Sequence, residues 1–217
     1  RVLLRVGAAP VALQPGDLLL AQPEQQAVLR LVEGRVPQPY LQGDPLANPS
    51  QALRGPRGRL WIVDPGAQTV FVAEEGSRSL QAFRGPAGSP RSLAFDAQAR
   101  PVLLDLALPG GAGPGPGIVR LGAEAGDSEE ILALGPPFLS PGALLVDGQG
   151  RALVADEAAN SVWRVELAPD AAVEPFASVD APRSLALDAA GTLWVLSQPP
   201  GAQHALLRVS PDGEVER

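Results

Sequence analysis

Two arginines occupy the same tetrapeptide, Pro-Arg-Ser-Leu, at 90–93 and again at 182–185. A guanidinium is planar, permanently charged and rich in N–H donors, so Arg91 and Arg183 side by side could grip a carboxylate bidentately. Ser92 and Ser184 add a hydroxyl after each arginine, and Gln51 holds the matching place in an earlier stretch. A second group is acidic: Glu124, Asp127, Glu129 and Glu130 follow a Gly/Pro-rich insertion at 109–117. Loops set on a rigid scaffold are where binding usually resides. His204 is the only histidine. Proton transfer needs a base oriented by a second group, so a surface loop is the expected setting for His204. No residue is assigned a catalytic role, and no metal or cofactor is implied.

Composition narrows the field. Cys is absent, which removes disulfides, thiolate metal sites and cysteine nucleophiles together. A net charge of −7 speaks against non-specific nucleic-acid binding, which needs clustered Lys and Arg to release counterions. No apolar run approaches the length of a membrane-crossing helix. Met is absent, position 1 included, which leads us to expect a processed, extracytoplasmic (periplasmic or secreted) chain, with a cytoplasmic one as the alternative. Gly and Pro number 24 each in 217 residues, a share that a turn-dense β protein explains.

A repeat supplies the scaffold for these residues. Pro141–Val165 reads Pro, an apolar run to Asp147, a turn through Gly150, a second run to Asp156, and a third run over 162–165. Short apolar runs bounded by Asp and Gly turns are strand signals. Aligning on the first turn gives Gly16, Gly58, Ala99, Gly150 and Gly191, at intervals of 42, 41, 51 and 41 residues. That is the period of a four-stranded propeller blade. The expected fold is therefore an all-β, five-bladed β-propeller of four-stranded antiparallel blades in one domain, residues 1–217. Its blades cover about 10–43, 46–85, 89–136, 140–179 and 181–217, and the N-terminal strand at 2–6 closes the last one. The alternative is part of a six-bladed ring. In a propeller, residues just before the innermost strand rim the central channel, which brings Arg91, Ser92, Arg183, Ser184 and Gln51 to a common mouth. Alternatively, each arginine bonds nearby loop carbonyls or pairs with Asp96 or Asp188.

Other recurring residues read as framework. Asp64, Asp105 and Asp156 end second strands and are expected to accept N–H bonds from the following turn. Arg30, Arg120, Arg164 and Arg208 recur in third strands, each with an aliphatic stem on the sheet and a charged tip outward. Trp61 and Trp194 share one position and are expected to wedge between sheets.

The pattern P-x-x-L-x-x-D-x-x-G-x-L-x-V-x-D, best matched by Pro141, Asp147, Gly150, Val154, Asp156, Asn160 and Arg164, resembles NHL-type and YVTN-like propeller repeats. The resemblance implies a propeller and leaves activity open. A gluconolactonase-like or regucalcin-like member would carry metal-binding carboxylates before its first strands. The residues there are Val11-Ala12, Ser50-Gln51, Arg91-Ser92, Gly142-Ala143 and Arg183-Ser184, none of them acidic. A virginiamycin-lyase-like member would depend on histidine chemistry that one loop His204 does not supply. The expectation is a non-enzymatic propeller that binds or scaffolds another protein or multisubunit assembly, such as one of the envelope. The alternative is a small-molecule-binding or gluconolactonase-like hydrolytic propeller with its site at the channel mouth.

Overall fold

The computed structural model describes residues 13–14, 16–74, 76–77, 79–84, 88–110 and 113–216. The protein is all-β, with five antiparallel sheets in chain order, the blades of a five-bladed propeller. In each sheet every strand pairs with its neighbour in sequence. Sheet one holds β1 (Leu18–Gln22), β2 (Ala27–Leu31) and β3 (Gln38–Gln42). Sheet two holds β4 (Gln51–Arg54), β5 (Leu60–Asp64), β6 (Thr69–Ala73) and β7 (Gln81–Ala82). Sheet three is β8 (Pro90–Phe95), β9 (Pro101–Leu108), β10 (Gly115–Arg120) and β11 (Glu130–Leu134). Sheet four is β12 (Pro141–Val146), β13 (Arg151–Asp156), β14 (Ser161–Glu166) and β15 (Val173–Ser178). Sheet five is β16 (Pro182–Leu187), β17 (Leu193–Ser197), β18 (Ala205–Val209) and β19 (Val215–Glu216).

Sheet five thus takes its fourth strand from Val215–Glu216, the place expected for residues 2–6, which lie outside the described residues. Most of the first strand expected at the start of blade one lies outside them too. The chain divides into two compact units, 1–87 with sheets one and two and 88–217 with sheets three to five.

The turn before each second strand carries a left-handed residue at the same place. Gly16, Gly58, Ala99, Gly150 and Gly191 all have positive φ, between 61° and 90°. This left-handed backbone favours glycine, and Ala99 at 61° adopts it against that preference. In sheets three, four and five an aspartate opens the turn and locks it. Asp147 accepts N–H bonds from Gln149 and Arg151, both at 2.9 Å, and Asp96 accepts the corresponding pair from Gln98 and Arg100.

The second strands of sheets two, three and four are buried on both faces, which is why they read as unbroken apolar runs. Every residue of β5 is buried. In the first unit Val28, Leu41, Leu60, Ile62 and Phe71 form the core. Trp61 is buried against Phe83, ring centroids 4.5 Å apart. In the second unit, Val102, Leu104, Ile118 and Leu132 of sheet three pack on Leu144, Ala152, Val154 and Val165 of sheet four. The other face of sheet four, with Leu153 and Val162, packs on Leu193, Val195 and Val209 of sheet five. Each of these valine, leucine, isoleucine and phenylalanine side chains contributes about 1.5–3 kcal/mol when fully buried.

Candidate functional site

The strand-end aspartates hold the loops that precede the first strands. The Asp156 carboxylate is fully buried and accepts N–H bonds from Leu139 and Ser140, both at 2.8 Å, and from Ala159 at 3.2 Å. Asp64 does the same for Ala47, Asn48 and Ala67. Asp105 takes Ser89 and Ala107, and a Cβ on Gly88 would collide with its carboxylate. The bond to the following turn was expected. The bonds reaching back 16 or 17 residues were not, and they fix the loop leading into the first strand of sheets two, three and four. In sheet five Ser197 replaces the aspartate and the polarity reverses, its hydroxyl donating to the Asp180 carbonyl at 2.6 Å.

Three of the first strands open on a bulge. In β8 Pro90 pairs with Asp105 and Ser92 with Leu104, so the register passes over Arg91. β12 skips Gly142 in the same way, and β16 skips Arg183. A bulged residue leaves the ladder and its side chain is re-aimed, a device common beside functional sites. Strand β12 packs against both β8 and β16, so the three bulges lie on adjacent first strands. Arg91 and Arg183 are both exposed, and Gly142 between them carries no side chain.

Arg183 already holds a carboxylate. Its guanidinium meets Glu157 of the neighbouring sheet at 2.6 Å, with both side chains partly open to solvent. The sequence pointed to Asp188 as the alternative partner. Asp188 instead accepts N–H bonds from Ala190, Thr192 and the Trp194 indole.

The remaining candidates divide. Ser92 is buried and belongs to the packing between sheets: the Leu144 N–H donates to its Oγ at 3.1 Å. Ser184, at the same place in β16, is exposed. Gln51 opens β4 opposite Val63, within the first unit. The acidic group does not converge. Asp127 accepts the Glu124 N–H at 3.0 Å and so caps its own turn, while Glu130 lies on β11 and pairs with Arg120. Glu124 and Glu129 are exposed. His204 is exposed between β17 and β18. Among the described residues no three His, Cys, Asp or Glu side chains group as metal ligands would.

The third-strand arginines are each tied to an acid. Arg30 pairs with Asp17 at 2.5 Å, Arg164 with Glu174 at 3.0 Å and Arg208 with Glu216 at 3.0 Å.

No family model matches the sequence, and no curated protein matches it. Among solved structures, a streptogramin B lyase matches with a TM-score of 0.70 at 15% identity, over 94% of this chain and 65% of that one. A chain of a nidogen/laminin complex matches with a TM-score of 0.74 at 13% identity, over 90% and 72% respectively. A gluconolactonase from Xanthomonas campestris matches at 0.67 and 16%, over 84% and 66%. The fold is a β-propeller. At these identities the likeness speaks for the fold alone. The chain spans about two thirds of the length of each lyase and gluconolactonase chain.

Proposed function

We propose that the chain is one propeller domain of NHL-like repeats that binds another protein without catalysing a reaction, and that carboxylates of the partner meet Arg91 and Arg183. The observation that carries this reading is the repeated bulge. Two of the three bulged residues on adjacent first strands are exposed arginines, and the third is a glycine that leaves the space between them open. The strand-end aspartates support it by contrast, because they are buried and hold backbone N–H groups of the framework. The ion pair of Arg183 with Glu157 supports a carboxylate as the ligand chemistry of this position.

The test is the affinity of the partner co-isolated from the native source for the wild-type chain and for an Arg91→Ala/Arg183→Ala variant. Binding weakened at least about tenfold at unchanged melting temperature supports the reading; one good charge-assisted contact is worth that much. Unchanged affinity, or a solitary chain that turns over a lactone, rejects it. A thermal shift by citrate that needs both arginines, with no protein partner, would make the site one for small carboxylates instead.

A further inference from the structure

The clefts on the two sides of sheet four are built from equivalent residues, and one of them is covered less fully than the other. Between sheets three and four, Arg120 pairs with Glu130 and donates to the main-chain carbonyl of Leu167 at 2.7 Å. Leu167 lies in the turn between β14 and β15, and its side chain packs against the apolar cluster of that interface. The Ala171 N–H of the same turn donates to the Leu132 carbonyl at 3.0 Å. Under this cover the Arg120 side chain is only 9% exposed.

Strand register carries each position one sheet onward: Arg164 stands for Arg120, Glu174 for Glu130, Phe176 for Leu132 and Pro211 for Leu167. Arg164 keeps its acid, Glu174, and lies 5.6 Å over the Phe176 ring. The cover is shorter: Gly213 of the corresponding turn packs against the Phe176 main chain, as Ala171 does against Leu132. Seven residues separate the paired Val165 and Val173, but only five separate Val209 and Val215, and proline replaces the leucine. A cleft of about 490 Å³ stays open, with Leu153, Leu187, Leu193 and Val209 beneath and Arg164 and Phe176 at one side. The Arg164 side chain is 29% exposed, against 9% for its counterpart.

We propose that this cleft takes from a partner protein what Leu167 supplies next door: a leucine-sized side chain on a short turn, its main-chain carbonyl turned to the Arg164 guanidinium. The proposal rests on reading the chain as a protein-binding propeller, but it uses a different surface from Arg91 and Arg183, so each can fail alone. Two chemistries converge in the cleft. The apolar floor rewards burial of a branched side chain, and a guanidinium bonded to one carboxylate keeps further N–H donors for a carbonyl.

The probe is a capped synthetic peptide with the sequence of residues 165–171, Val-Glu-Leu-Ala-Pro-Asp-Ala, titrated into the whole chain and followed by amide and arginine Nε–H NMR signals. Saturable shifts are expected at Leu187–Leu193, Ser210–Gly213 and Arg164, at roughly millimolar peptide. A peptide with aspartate in place of leucine should lose them. Arg164→Lys should weaken binding about tenfold, and Ala190→Trp, at an exposed turn residue lining the cleft, should block it without touching the core. The Lys and Trp variants each keep the test informative if the other folds poorly. Absence of saturable shifts at the cleft, or shifts that persist with the aspartate peptide, overturns the proposal. So does binding of hexanoate there when the peptide does not bind, since the site would then serve a small amphiphilic acid. If Arg91→Ala/Arg183→Ala leaves partner affinity intact while the peptide still binds, the rim reading fails and the cleft stands.

Discussion

Replacing Asp156 with alanine removes a fully buried carboxylate and strands three donors: Leu139 and Ser140 at 2.8 Å and Ala159 at 3.2 Å. A hydrogen bond to a charged group contributes about 1.5–3 kcal/mol. Taking about 1.5 kcal/mol for each short bond and less for the longer one, whose donor lies in a turn that water can reach, Asp156→Ala should cost about 3–4 kcal/mol. That is a large fraction of the about 5–15 kcal/mol that holds a domain folded. Asp156→Asn keeps one acceptor oxygen and should cost about half as much. Equilibrium unfolding in urea, read by tryptophan fluorescence (Trp163 lies in the same sheet), measures both. Asp127→Ala is the control: its carboxylate is exposed and caps a single turn N–H, so its cost should stay below about 1 kcal/mol. A loss for Asp156→Ala within about 0.5 kcal/mol of the control would refute the idea that strand-end aspartates fasten the loops before the first strands.

Ala99→Gly relieves a left-handed alanine and should raise stability by about 0.5–1 kcal/mol in the same unfolding assay, whereas Gly150→Ala should lower it. Ser92→Ala leaves the buried Leu144 N–H unmatched and should cost about 1–2 kcal/mol, with faster amide exchange at Leu144, while Ser184→Ala changes little. The Thr192 N–H, then the Trp194 indole N–H and the Ala190 N–H, hold the Asp188 carboxyl below its ordinary 3.8. A folded value below the unfolded one gives stability that is complete above pH about 4 and fades as pH falls through the folded value. Asp188→Asn should therefore flatten that part of the acid limb in a pH series of urea midpoints.

The periodic part of the fold was legible because it is local. A turn that needs a left-handed residue announces itself as glycine, so Gly16, Gly58, Gly150 and Gly191 mark four of the turns, and their spacing alone placed the fifth on Ala99. Burial on both faces announces itself as an unbroken apolar run, as in Leu60–Val63. What the sequence hid is contact between segments far apart in the chain. Nothing near Asp156 in sequence says that it holds residues 139 and 140, and nothing in Pro-Arg-Ser-Leu says that Ser92 faces the backbone of Leu144. The repeated tetrapeptide did point to Arg91 and Arg183, but the bulge that lifts them from the ladder is a matter of register, visible only once Asp105 and Ser197 are paired. Arg183 meets Glu157 for the same reason: the partner comes from the adjacent sheet, not from its own turn. The acidic run at 124–130 looked like one group because strand boundaries were invisible, and β11 begins inside it.

The most direct measurement tracks the Nε–H NMR signals of the arginines while the co-isolated partner is titrated into the chain. The account predicts that the Arg91 and Arg183 signals shift and saturate at the binding stoichiometry while those of Arg30, Arg120 and Arg208, whose acids come from their own sheets, stay in place. Saturable binding that leaves Arg91 and Arg183 unmoved would contradict it.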